Sequence, residues 1–208
     1  MLVYYYTPAE YGIKAIEDQR LKISDIGALN DPFEYSNVVT ETENQQDVMK
    51  KAKTDLQKMK GVICFSKYWN KPLMWAHYAE KHQGMALGFK VLRNTYPIEY
   101  IRDKGKIGEE SGLETEEEMK LMFRSKHVGW KYEKESRLDV WYKKDELSID
   151  VDKDLRFLRF EGNLQLREVI LGCNCKLTDV SSIQKRLPSE VDVFTAAADL
   201  HKFEMIRS

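Results

Sequence analysis

Two glutamates, Glu133 and Glu135, stand one residue apart in the run Val128 to Asp139, read as VGWKYEKESRLD. A strand sends alternate side chains to the same face, so this spacing sets two carboxylates on one surface. Trp130, Tyr132 and Leu138 supply the aromatic and apolar character of a half-buried strand, whereas a helix would turn residues two apart to different faces. Paired carboxylates on a rigid element suit a reaction in which one stabilises a developing positive charge and the other positions a nucleophile. The plain alternative is a solvated acidic strand paired with Lys131, Lys134 or Arg137.

Other chemistries find less support. His77, His82, His127 and His201 lack the helical spacing of a zinc-protease motif, so no metal site is expected. No nucleophile elbow, phosphate loop or dinucleotide-binding glycine fingerprint is present. Polar groups do recur at predicted strand ends: Tyr5 or Tyr6 on the first strand, Ser24 on the second, and Ser66 closing Cys64-Phe65-Ser66. Beside them Trp75, His77 and Tyr78 lie on a predicted helix, where flat rings make either a stacking wall for a heteroaromatic ligand or simple core.

The chain has 208 residues, 42% of them hydrophobic, with 11 Tyr, 8 Phe and 4 Trp, enough to build a full-sized core without staples. Thirty-three basic residues against 34 acidic ones leave a net charge of −1, which excludes a global footprint for nucleic acid but not a local basic groove. Cys64, Cys173 and Cys175 are odd in number and hold no Cys-x-x-Cys, so reduced thiols are expected. The start, MLVYYYTPAEYG, has no signal-peptide pattern, and no window approaches the roughly 18 apolar residues of a membrane helix. A cytoplasmic protein without membrane contact is the expectation.

The elements that must position these groups follow from periodicity and punctuation. Met1 to Tyr6 predicts a strand, and Thr7-Pro8-Ala9-Glu10 a capped helix running to about Asp18, with Leu21 to Ser24 as a brief second strand. Asp25 to Glu34 is a structured loop around Pro32. Asn44 to Lys60 predicts a helix with the stripe Val48, Ala52, Leu56 and Met59. Val62 to Ser66 is a strand, Leu73 to His82 a helix and Met85 to Lys90 a strand, followed by a short edge strand over Tyr96 to Ile101. A polar insertion at about 103–118 leads into a helix beginning near Glu116. Asp145 to Phe160 gives no clear pattern. Leu166 to Leu171 reads as a buried strand, Ser181 to Leu187 as a short helix, and Val191 to Phe194 and Lys202 to Ile206 as closing strands. With no repeat or linker, residues 1–208 read as a single domain.

Four blocks, LNDPFE (Leu29 to Glu34), CFS (Cys64 to Ser66), LMWAHYAEKHQGMALGF (Leu73 to Phe89) and WKYEKESRL (Trp130 to Leu138), resemble in that order the bacterial domain of unknown function 2971. More distantly, the order of elements resembles that of ADP-ribosyltransferases. That resemblance implies an α+β fold with a mixed, mainly antiparallel sheet and flanking helices. It implies an NAD-dependent transferase, NAD being the substrate, that modifies a macromolecular acceptor (protein or nucleic acid) as a toxin or phage-defence effector. It places Glu135 on the nicotinamide ribose, Glu133 on the acceptor, and Ser66 in support of the glutamate with Cys64 before it. Tyr5 stands where an arginine or histidine usually holds the adenylate side, Tyr6 follows it, and Tyr78 or Trp75 is placed to stack on nicotinamide. A non-catalytic nucleotide- or peptide-binding module of a defence or stress system is one alternative. A nuclease using Asp31, Glu34 and Glu133 around a divalent metal is another.

Overall fold

Val3–Thr7 carries large side chains to both faces, Val3 and Tyr5 to one core cluster and Tyr4 and Tyr6 to another, and so forms a central strand, β1. The computed structural model describes residues 1–106, 116–177 and 180–208. After β1 come α1 (Ala9–Glu17), β2 (Arg20–Lys22), β3 (Val38–Val39), α2 (Glu43–Met59), β4 (Lys60–Ser66), α3 (Pro72–Tyr78) and β5 (Met85–Val91). Next are β6 (Tyr96–Pro97), β7 (Glu99–Ile101), β8 (Gly105–Lys106), α4 (Glu116–Arg124), β9 (Ser125–His127) and β10 (Glu135–Trp141). The chain closes through β11 (Ile149–Asp152), β12 (Leu155–Arg159), β13 (Leu164–Leu171), α5 (Val180–Gln184), β14 (Asp192–Ala198) and β15 (Met205–Arg207).

Among the described residues, eight strands make the main sheet in the order β15-β14-β13-β5-β1-β4-β10-β6, antiparallel at every pairing but β13 with β14. Beside it stand a three-stranded sheet, β11-β12-β2, and two parallel pairs, β3 with β8 and β7 with β9. This is one compact α+β fold with a mainly antiparallel sheet. One face of the main sheet buries Ile63, Phe65, Leu87, Phe89 and Leu138 against Ile16 of α1 and Leu158 of β12. The opposite face packs Tyr4, Tyr6 and Ala86 against Met74 and Trp75 of α3, while Val62 meets Met49 of α2 and Met122 of α4. Each such fully buried side chain contributes about 1.5–3 kcal/mol. No helix among the described residues is long and apolar enough to cross a membrane.

The sheet has an uneven seam. β1 pairs with β5 through five residue pairs and β4 with β10 through seven, but β1 meets β4 at the single pair Tyr4 with Ser66. Beyond that pair Ser24 takes over the edge of β4, exchanging backbone hydrogen bonds of 2.8 and 3.0 Å with Val62.

Several local expectations change for identifiable reasons. Thr7 completes β1, so Pro8 takes the cap position of α1 and the box with Glu10 does not form; at α2 a capping box joins Thr42 and Gln45. Along α2, Val48, Ala52 and Leu56 pack against the core as expected, with Met49 buried beside them, while Met59 is exposed. The stretch after Asp145 becomes a hairpin whose turn residues, Lys153 and Asp154, are both left-handed, the geometry that matches strand twist. Only Tyr96–Pro97 joins the sheet edge; Glu99–Ile101 leaves it to pair with β9. The centre of the polar insertion, residues 107–115, lies outside the described residues.

Helix α3 ends at Tyr78, four residues short of the predicted His82, because Ala79 leaves the helix and Glu80, Lys81 and His82 all take left-handed φ of 49°, 54° and 68°. Such residues cost roughly 1–2 kcal/mol each. Backbone bonds hold them: His82 N–H donates to Trp75 O at 3.1 Å and Asn174 N–H to His82 O at 3.0 Å. The turn brings Gly84 so close to β1 that an added Cβ would lie 2.3 Å from the Thr7 carbonyl oxygen. Gly84→Ala is therefore expected to lower stability by about 2–3 kcal/mol, since backbone cannot yield as a side chain does; urea unfolding midpoints check this.

Candidate active site

A cavity of about 250 Å³ opens along the seam between β1 and β4. All four sequence blocks meet there: Asn30 and Glu34 from the first, Cys64 and Ser66 from the second, Met74 and Tyr78 from the third, Glu133, Glu135 and Arg137 from the last.

Glu133 and Glu135 reach it by a route the sequence reading does not anticipate. Val128–Glu133 is a 3-10 helix rather than a strand, and β10 begins only at Glu135. Lys134 between them is left-handed (φ 46°), which ends the helix and turns the chain into the strand. Ser66 fixes this turn: its buried hydroxyl donates to Glu133 O at 2.6 Å, while Lys67 N–H donates to Lys134 O at 3.1 Å. The two carboxylates converge all the same, because Lys126 Nζ lies 2.8 Å from Glu133 and 3.5 Å from Glu135.

Around them five charged side chains are buried together: Glu34, Lys126, Glu133, Glu135 and Arg137. The Arg137 guanidinium lies between two carboxylates. It donates to Glu135 through Nε (2.5 Å) and Nη2 (3.1 Å), and to Glu34 through Nη2 (2.5 Å) and Nη1 (3.1 Å). Lys126 also reaches Glu34 at 3.3 Å and lies 4.7 Å from the centre of the Trp130 ring. The Tyr78 hydroxyl donates to Glu133 and accepts from Asn30 Nδ2 at 2.8 Å. The Tyr100 hydroxyl accepts from Glu135 N–H at 2.8 Å.

These surroundings separate the two acids. Burial pushes Glu135 up, but Arg137 and then Lys126 and the Cys64 thiol outweigh it and hold the carboxyl at about 2. Burial also raises Glu133; Lys126 opposes this, the charge of Glu135 adds to it, and the result lies above the ordinary value. Lys126 ends raised, because three carboxylates overcome the burial that lowers it. Cys64 is pushed well up by burial and by Glu135, so it is a neutral donor here and not a nucleophile.

Glu135 is lowered on folding from an ordinary 4.5 to about 2, so its contribution is complete above pH 4.5 and is lost as pH falls towards 2; linkage makes it about 3 kcal/mol. Glu133 is raised, so its protonation favours the fold as pH falls towards 4.5. Stability measured by urea unfolding is thus expected to hold down to about pH 4.5 and to drop below it. A steady decline beginning near pH 6 would contradict the separation.

The other expected site residues divide. In register, Ser66 lies opposite both Glu135 and Tyr4, so Tyr4, Ser66 and Glu135 form one row on one face of three adjacent strands. Tyr5 projects to the other face, where its ring meets Phe65 edge-on at 6.4 Å, although it still lines the cavity. Tyr6 lines the cavity too, but its hydroxyl donates to Tyr68 O at 3.0 Å. Tyr78 is at the site. Trp75 is not: it is fully buried, edge-on to Tyr6 at 5.3 Å, with Nε1 donating to Trp69 O, so it is core and not a stacking surface. Of the proposed nuclease trio, Glu34 and Glu133 are bridged by Lys126, while Asp31 lines a neighbouring cleft.

Tyr4, Tyr100 and the bridging role of Glu34 are absent from the sequence reading. The LNDPFE block is a signal for Glu34; for Tyr100 no local pattern exists, since its partner is a backbone amide 35 residues away. No protein-family model, curated protein or solved structure matches the chain.

Proposed function

We propose that this protein is an NAD-dependent ADP-ribosyltransferase-like enzyme acting on a macromolecular acceptor. The observation that carries the reading is one cavity in which Lys126 bridges two buried carboxylates, with Arg137 clamping Glu135 and Tyr78 bonding Glu133, surroundings that push the first low and the second high. Pairs separated in this way divide into a charge stabiliser and a proton carrier. In NAD the bond between ribose C1′ and nicotinamide breaks, and the ring leaves with the electron pair as neutral nicotinamide. Positive charge remains on the ribose, where Glu135, ionised at any physiological pH, stabilises it in a water-poor site. The acceptor's O–H or N–H group attacks C1′, and its proton passes to Glu133. The row of Tyr4, Ser66 and Glu135 over three neighbouring strands supports this, as does the meeting of all four sequence blocks at the cavity.

A second reading has its own observation. Each of the five charged groups is ion-paired within the cluster, as in a scaffold that only shapes a nucleotide- or peptide-binding cleft. Nicotinamide release from NAD by the purified chain, with cell extract as acceptor source, separates the two. Turnover supports the transferase. No release and no thermal shift with NAD would sink it.

A further inference from the structure

Next to the cavity, a second cleft of about 370 Å³ is lined by Asp31, Phe33, Arg102, Lys104, His127 and Trp130. The two share a wall: Asn30 and Glu34 line the first and Asp31 and Phe33 the second, and Lys126 of the first lies against the Trp130 ring of the second. Its chemistry is distinct. Phe33 is more than half exposed, which leaves a large ring in water with Lys104 Nζ 5.5 Å from its centre. Arg102 and Lys104 are exposed cations on the same rim, with the exposed Asp103 between them.

Asp31 is the informative residue. It is 3% exposed; Oδ1 accepts the Phe33 N–H at 2.9 Å, while Oδ2 is buried with no hydrogen-bond partner among the described residues. A buried carboxylate oxygen without a donor is costly, and the cleft that Asp31 lines is where a ligand donor can come from.

We propose that this cleft binds a nucleobase with its phosphate and presents that nucleotide as the acceptor for the neighbouring carboxylates. The base stacks on Phe33 and Trp130, its exocyclic amino group donates to Asp31 Oδ2, and Arg102 and Lys104 meet the phosphate. Adenine, guanine and cytosine carry such an amino group. Uracil offers only an N–H flanked by two carbonyl oxygens, which the carboxylate repels. The role as acceptor site rests on the transferase reading; the binding does not.

The test is calorimetric titration of the full chain, without NAD, with adenosine, guanosine, cytidine and uridine monophosphates and with a short single-stranded oligonucleotide. The amino-bearing nucleotides are expected to bind about tenfold more tightly than uridine monophosphate, and Asp31→Asn, which offers an amide in place of the acceptor, to remove that preference. Phe33→Ala should weaken all of them about tenfold through lost stacking. A tighter oligonucleotide identifies a nucleic-acid strand as the source; an equal or weaker one identifies a free nucleotide. Absence of binding by the folded chain overturns the proposal, as does a preference that survives in Asp31→Asn with an unchanged melting temperature. Binding without nicotinamide release defeats the transferase reading alone, and release without nucleotide binding defeats this cleft alone.

Discussion

Glu135→Gln is expected to lower nicotinamide release from NAD by about a thousandfold while leaving a folded chain. The carboxylate lies in a buried cluster, where its charge acts on a developing cation with little screening by water. Glutamine keeps the shape and one acceptor oxygen for Arg137 but loses the charge. The fold tolerates the exchange because the cluster holds three carboxylates and two cations, so one neutral side chain balances it. The variant should lose about 3 kcal/mol of stability, the contribution that the ionised carboxylate makes in the fold, and remain folded. Chromatographic nicotinamide measurement beside a thermal melt checks both halves. Release that persists unchanged in the variant removes Glu135 from the chemistry.

Arg137→Leu has the opposite profile: its largest effect is on the fold. Four hydrogen bonds tie the guanidinium to Glu34 and Glu135, and all three residues are buried. Leucine leaves the three carboxylates of the cluster with Lys126 as their remaining cation, a loss of about 3–5 kcal/mol. In a chain of this size that lowers the melting temperature by about 10 °C. Adding Glu34→Gln removes one stranded charge and should recover part of the loss, so the pair measures the coupling directly. A single variant within 0.5 kcal/mol of the parent by urea unfolding would show that the pairing does not support the fold.

Legibility in the sequence depended on how local each cause is. The strands over Met85 to Lys90 and Leu166 to Leu171 and the helix over Asn44 to Lys60 were readable because periodicity acts within a few residues, whereas the box read at Thr7 and Glu10 did not form. The glutamate pair was readable as a pair, yet its geometry was not: VGWKYE has strand-like composition, and the turn at Lys134 is imposed by Ser66 and Lys67 from a distant strand. Arg137 was visible as a neighbour in sequence, but that it also grips Glu34, 103 residues away, is a product of topology. Trp75 shows the converse limit, since composition alone does not tell a ring that lines a site from one that fills the core. The early end of α3 is made by the left-handed run Glu80 to His82, held by backbone bonds to Trp75 and Asn174, which no propensity encodes.

The single rung between β1 and β4 has a consequence for how the sheet is specified. A one-residue slip between paired strands turns every side chain to the wrong face, and long ladders resist it collectively. Here the alignment of β4 and β10 is set by their own seven pairs, and that of β1 and β5 by theirs, so almost nothing in the backbone transmits alignment from one ladder to the other. The chain is assembled as two separately indexed plates, and the groups facing each other across the join are brought to a common level by side-chain packing and one pair of residues.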